Sequence, residues 1–157
     1  MRVSAYLETS IIGHLASRPS RDVITVANQQ TTHEWWQKQR HTYDLYVSQF
    51  VITECSAGDA LAAKERFVFL KGIPLLDVTV EVEALAALLL KHIPLPQKAA
   101  VDAAHIAVSA VHGIDYLLTW NCKHIANASL RHRIETICRS EGYEAPTVCT
   151  PQELTEI

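Results

Sequence analysis

Four side chains stand out from their surroundings by type and position. Asp102 lies in KAAVDAAHIAVSAVHG, residues 98–113, where almost every other residue is small or apolar. The polar exceptions, Asp102, His105, Ser109 and His112, recur at i, i+3, i+7 and i+10, along one face of a helix. A solvated stripe accounts for Ser109 and His112 at the far end. Asp102 sits in the first turn, facing strand termini rather than the outer surface, and reads as a site residue. His105 reads as a hydrogen-bonded supporting residue rather than a ligand. Glu54 lies between Val51, Ile52 and Cys55 in SQFVITECSAGD, just past an apolar run, although a partly exposed helix position also explains it. Glu8 ends the run VSAYL, residues 3–7. Either Thr9 or Ser10 caps the following helix, with Glu8 near the positive end of its dipole, or Glu8 is a ligand at the carboxyl end of a parallel strand. Asn121 follows Thr119 where LLTWN leaves another apolar run, a place where asparagine also serves as an ordinary turn residue.

Together, Glu8, Glu54, Asp102 and Asn121 fall at or near the carboxyl ends of strands or on helix starts facing them. Converging oxygen ligands suit a hard divalent cation, and Mg²⁺ prefers a few carboxylates with retained waters over thiolate or imidazole. One or two such ions polarise a phosphodiester, orient and deprotonate a water, and stabilise the leaving oxygen.

The elements that must position these groups alternate along the chain. Strands are expected at Val3–Leu7, Tyr43–Ser48, Pro74–Val78, in IDYLLTW after Gly113, and at Thr147–Cys149 as a short edge strand. Helices are expected at about Ser10–Ser17, Arg21–Lys38, within QFVITECSA, Leu61–Lys71, Val80–Lys91, Gln97–His112 and Leu130–Glu141. In the second of these, Ile24, Ala27, Thr31 and Trp35 have the spacing of a buried stripe. Pro94 and Pro96 separate two helices, and Gly113 suits a helix C′ position. This alternation implies a parallel, three-layer α/β/α sandwich in one domain, residues 1–157.

The chain has 157 residues, 48% hydrophobic and 20% charged, enough for a respectable core and inconsistent with wholesale disorder. A net charge of −3 and a pI near 6.2 exclude a global basic footprint, so nucleic acid would be handled through a local patch or bound cations. Cys55, Cys122, Cys138 and Cys149 lack CxxC spacing and read as reduced thiols in a cytoplasmic protein. No signal peptide is expected, and no run approaches the ~20 apolar residues of a membrane span.

AYLETSIIGHL, FVITECSAGD, VDAAHIAVSAVHGIDYLLTWN and KHIAN, in this order, resemble the PIN domain, specifically the VapC-like ribonucleases of toxin–antitoxin pairs. The resemblance spans essentially the whole chain. It implies a five-stranded parallel sheet with flanking helices, Mg²⁺- or Mn²⁺-dependent endoribonuclease activity, an RNA substrate, a cognate antitoxin and a homodimer. It aligns Glu8, Glu54 and Asp102 with the family's first three acids, which hold the metal, and Asn121 with a fourth that is usually Asp. Glu8 also replaces a usual Asp, so the arm is longer by one methylene. About three negative charges then remain in the pocket, enough for one firmly held ion.

Smaller expectations accompany these. Thr9, Ser10 and Thr119 are placed to bond water or phosphate near the metal, and Lys123 and His124 to touch an RNA phosphate. Arg18, Arg21, Lys38, Arg40 and His41 bracket the second helix as a local basic rim or as solvated helix ends. Trp35 and Trp36 are adjacent, so they cannot both face the core; one covers a partner surface. The departures at Glu8 and Asn121 motivate an alternative, a weakened PIN-like module that binds RNA or protein without cutting. A phosphatase or nucleotide-binding domain is disfavoured, because no GxxxxGK[ST], GxGxxG or Asp-x-Asp motif follows any strand.

Overall fold

The computed structural model describes residues 2–155. Strands β1 (Ser4–Leu7), β2 (Asp44–Ser48), β3 (Leu75–Leu76), β4 (Tyr116–Leu118) and β5 (Thr147–Cys149) form one sheet, ordered β3-β2-β1-β4-β5. Every pairing is parallel. The helices are α1 (Thr9–Ala16), α2 (Val23–Lys38), α3 (Gln49–Cys55), α4 (Ala60–Leu70), α5 (Val80–His92), α6 (Ala100–Val111) and α7 (Ala128–Ser140).

Strand order dictates the layers. From β1 the chain moves one way to β2 and β3, then returns past β1 to β4 and β5. Right-handed crossovers therefore place α1–α4 on one face of the sheet and α5–α7 on the other. Accordingly α1 packs on α2, α3 and α4, and α5 packs on α6 and α7. The central strand is covered on both faces, so Ala5, Tyr6 and Leu7 are wholly buried despite their alternating directions. Its carboxyl end lies at the point where strand order reverses, between β1 and β4, which is where such sheets form a crevice.

Helix α6 is buried along most of its length. Ala103, Ala104, Ala107 and Ala110 are buried along it together with Ile106 and Val108. Its small side chains let it lie close against α5. His112 is its C-cap, and Gly113 follows at φ +66°, a left-handed conformation that glycine adopts without steric cost.

The inward face of α2 is not the expected one. Ile24 is 73% exposed, Ala27 is exposed and Thr31 is half-buried, whereas Gln29, Thr32 and Trp35 are buried. The buried polar groups have partners elsewhere in the chain. The Gln29 side chain accepts from Ser20 N at 2.9 Å and donates to Arg18 O at 3.1 Å, and Thr32 Oγ1 accepts from Trp120 Nε1 at 2.7 Å. Ser109 departs too: it is buried, its hydroxyl donating to His105 O at 2.9 Å, rather than part of a solvated stripe. All four cysteines are free, and no helix among the described residues is long and apolar enough to cross a membrane.

Trp35→Ala should cost about 3–5 kcal/mol, as for large aromatic truncations in a packed core, whereas Ile24→Ala should stay within about 0.5 kcal/mol. Urea unfolding of both variants checks this, and a comparable loss at the two positions would return Ile24 to the core.

Candidate metal centre

Glu8 follows β1 and occupies the N-cap position of α1 in extended conformation, yet its side chain makes no cap bond. Backbone bonds fix it instead: Glu8 N donates to Leu118 O at 3.0 Å, and Glu8 O accepts from Ile11 N at 3.0 Å. Thr9 and Ser10 lie inside α1 and do not cap it. Their hydroxyls serve the carboxylates. Ser10 Oγ donates to Glu8 Oε1, Thr119 Oγ1 donates to the same oxygen at 2.6 Å, and Thr9 Oγ1 donates to Glu54 Oε1 at 2.6 Å. Ser10 Oγ also accepts from Trp120 N at 2.8 Å, which ties α1 to the segment after β4.

Glu54 projects from α3, the short helix begun by Ser48 at the end of β2. Its Oε1 also meets His105 Nε2 at 2.6 Å, and His105 Nδ1 meets the Tyr6 hydroxyl at 2.7 Å. The Tyr6 hydroxyl lies in turn 2.7 Å from Ser48 Oγ. A carboxylate only accepts, so the Nε2 proton of His105 points to Glu54. His105 Nδ1, the Tyr6 hydroxyl and Ser48 Oγ continue this contact as one hydrogen-bonded chain. Burial raises the Tyr6 pKa far above its ordinary value, which keeps the hydroxyl a neutral link in this chain. Tyr6 and Ser48 were not singled out from sequence, because a tyrosine in an apolar strand and a serine before a helix read as packing and capping.

One ligand atom from each of Glu8, Glu54 and His105 lies within 4.8 Å of the other two. With both ring nitrogens bonded, His105 serves as a fixed donor to Glu54. Glu8 and Glu54 each use Oε1 for their bonds, leaving Oε2 without a hydrogen-bond partner among the described residues. Asp102 lies one turn before His105 on α6 and is bound on both oxygens. Asn121 Nδ2 donates to Oδ1 at 3.1 Å and His124 Nδ1 to Oδ2 at 2.9 Å. Asn121 is itself oriented, its Oδ1 accepting from His124 N at 3.1 Å and its backbone N donating to Thr119 Oγ1 at 2.9 Å. His124 is thus turned onto Asp102, while Lys123 is exposed.

These residues fit a divalent cation on their own chemistry. Glu8 is only 5% exposed, and its charge is met by hydroxyls. Among the described residues, no lysine or arginine is paired with Glu8, Glu54 or Asp102. A buried carboxylate is costly unless a cation compensates it, and oxygen donors suit a hard divalent cation.

Two solved structures resemble the chain over nearly its whole length. VapC20 of Mycobacterium tuberculosis, described as a sarcin-ricin loop cleaving toxin, aligns with TM-score 0.59 and 18% identity over 91% of this chain and 100% of that one. VapBC2 from Rickettsia felis, bound to a DNA fragment from its promoter, aligns with TM-score 0.61 and 11% identity, over 94% of this chain and 98% of that one. No protein-family model and no curated protein matches the sequence. The likeness shows the fold: the chain has the PIN-like α/β/α architecture, with its five-stranded parallel sheet.

Burial pushes the Glu54 pKa up, but hydrogen bonds from His105 and Thr9 and the electrostatic pull of His105 outweigh it, so the net shift is downward. A depressed folded-state value means a stabilising contribution that is complete above the unfolded value of 4.5 and lost as pH falls through the folded one. The wild-type protein should therefore lose stability on acidification below that value, and Glu54→Gln should flatten part of the slope. Urea midpoints across acid pH check this; a variant with an unchanged slope would remove Glu54 from the linkage.

Proposed function

We propose that residues 1–157 form one PIN-like domain of the VapC-like toxin ribonucleases. In this reading it hydrolyses RNA phosphodiesters with Mg²⁺ or Mn²⁺ held by Glu8, Glu54 and Asp102. The observation that carries the reading is Glu8: a buried carboxylate beside Glu54, at the β1–β4 crevice, with no cationic partner among the described residues. VapC20's description as a sarcin-ricin loop cleaving toxin supports an RNA substrate, and VapBC2 supports a cognate antitoxin. A homodimer and a cytoplasmic location belong to the same proposal.

When bound, the cation supplies a Lewis acid for the phosphodiester and lowers the pKa of a coordinated water. The chain's own groups fix where that happens. Ser10 and Thr119 hold one oxygen of Glu8 and leave the other without a hydrogen-bond partner among the described residues. Thr9 and His105 do the same for Glu54, so two anionic oxygens are presented without further ordering. Asn121 and His124 aim Asp102, and exposed Lys123 is available for a backbone phosphate. One observation favours the second reading, a module that binds RNA or protein without cutting: both Asp102 oxygens already have partners, so ligation has to displace or share one of them.

Metal should raise the melting temperature, since it binds the folded form and relieves the clustered carboxylates; at 100 times its Kd the gain is about 2.7 kcal/mol. Asp102→Asn should abolish most Mg²⁺-dependent RNA cleavage with a far smaller stability change. Cleavage retained at the wild-type rate by this variant would support the non-cutting reading.

Asn121→Asp exchanges a donor 3.1 Å from Asp102 for a like charge. Its metal-free melting temperature should fall, and its gain on adding Mg²⁺ should exceed that of wild type. Differential scanning fluorimetry with chelator and with millimolar Mg²⁺ measures both. Equal metal-induced shifts in the two proteins would place Asn121 outside the metal's surroundings.

A further inference from the structure

The site described so far does not use the tryptophan pair or the cations after α2. Trp35 is 2% exposed and belongs to the core, whereas Trp36 is half-buried and lines a cavity of about 680 Å³. The cavity opens by Arg2, Asp44 and Gly72, before or at the start of β1, β2 and β3, so it faces the opposite end of the sheet from Glu8. Its volume falls in the range of about 300–1,000 Å³ usual for small-molecule sites.

Its lining joins aromatic surface to positive charge. Trp36 packs edge-on against Phe69, ring centroids 5.8 Å apart, and the Arg40 guanidinium lies 4.6 Å from the Trp36 ring centroid. Arg40 is oriented a second time through Nε, which donates to His41 Nε2 at 3.2 Å. Its terminal nitrogens make no hydrogen bond among the described residues. Lys71 also lines the cavity and has no acidic partner among the described residues. The sole acid of the lining, Asp44, is paired with Arg2 at 3.6 Å. Arg2, Arg40 and Lys71 against Asp44 make this a local positive region on a chain whose net charge is −3.

We propose that this cavity binds an unpaired nucleotide, its base stacked on the Trp36–Arg40 plate and its phosphate met by Arg40 and Lys71. A planar guanidinium held against an indole offers the flat cationic surface on which bases stack, and its free nitrogens suit phosphate. An acidic peptide would use the charges but leave the aromatic plate without a counterpart. The assignment does not depend on the cleavage reading, because binding is measured without metal.

The experiment titrates AMP and, separately, pentaadenylate into the protein in EDTA at low salt, following the Trp36 indole resonance by NMR. Saturable binding is expected, weakening steeply with added salt. The pair Arg40→Gln and Lys71→Gln, both at the cavity wall, should weaken it about ten-fold or more. Tighter binding of pentaadenylate than of AMP assigns the cavity to single-stranded RNA, and the reverse to free nucleotide. No shift of the Trp36 resonance up to millimolar ligand overturns the proposal, as does binding that the Arg40→Gln and Lys71→Gln pair leaves unchanged. Displacement of AMP by equimolar inorganic phosphate, or equal binding of pentaglutamate, overturns it too, because the cavity would then read charge alone.

Discussion

The structure depends on the registration of β1 against β4. Tyr6 stands opposite Leu117 and Leu7 opposite Leu118, and the ladder runs one step further, with Glu8 N donating to Leu118 O at 3.0 Å. That last bond brings Thr119 beside Glu8, so that its hydroxyl reaches the carboxylate. A slip of one residue would turn Glu8 to the other face and leave Tyr6, with its hydroxyl, where Leu7 now packs. The crevice and the central core are therefore specified by one set of backbone bonds. Destabilising either disturbs the other.

The same economy holds on α6. Its alanines allow close approach to α5, and from the same helix His105 spans from Tyr6 in the core to Glu54 at the crevice. A buried imidazole with both nitrogens bonded is rigid, and the chain Ser48–Tyr6–His105–Glu54 links two strands and two helices through polar contacts alone. Satisfied networks of this type in low dielectric fix geometry more than they add stability. Their effect here is to fix the position of the Glu54 carboxylate.

Much of this was legible in the sequence, for identifiable reasons. Apolar runs alternating with helical periodicity give the strands, the helices and the parallel sheet, and Glu8, Glu54, Asp102 and Asn121 stand out because each is polar at a strand end or a helix start facing one. The face of α2 was not legible, since apolar spacing cannot register that Gln29 and Thr32 have partners at Arg18, Ser20 and Trp120. Tyr6 was not legible for the same reason: its hydroxyl acquires meaning only once α6 crosses β1. His124, four residues before the α7 start, is drawn inward to Asp102 by the turn that follows Asn121, a contact that depends on backbone path rather than residue type.

Asn121 has a physical role of its own in this arrangement. Its amide occupies the space beside Asp102 where an acid would bring a second negative charge to about 3 Å, and at that separation two carboxylates do not both stay ionised without a counter-ion. The amide instead donates to Asp102 and accepts from the His124 backbone, so it orients the acid and steadies the turn at once. Glu8 and Glu54 are arranged on the same principle, each with one oxygen held by hydrogen-bond donors and the other left unbonded among the described residues. Among the described residues the crevice thus orders its carboxylates by hydrogen bonds from hydroxyls, an amide and two histidines, with no lysine or arginine paired to them, and Oε2 of both glutamates stays available to a cation.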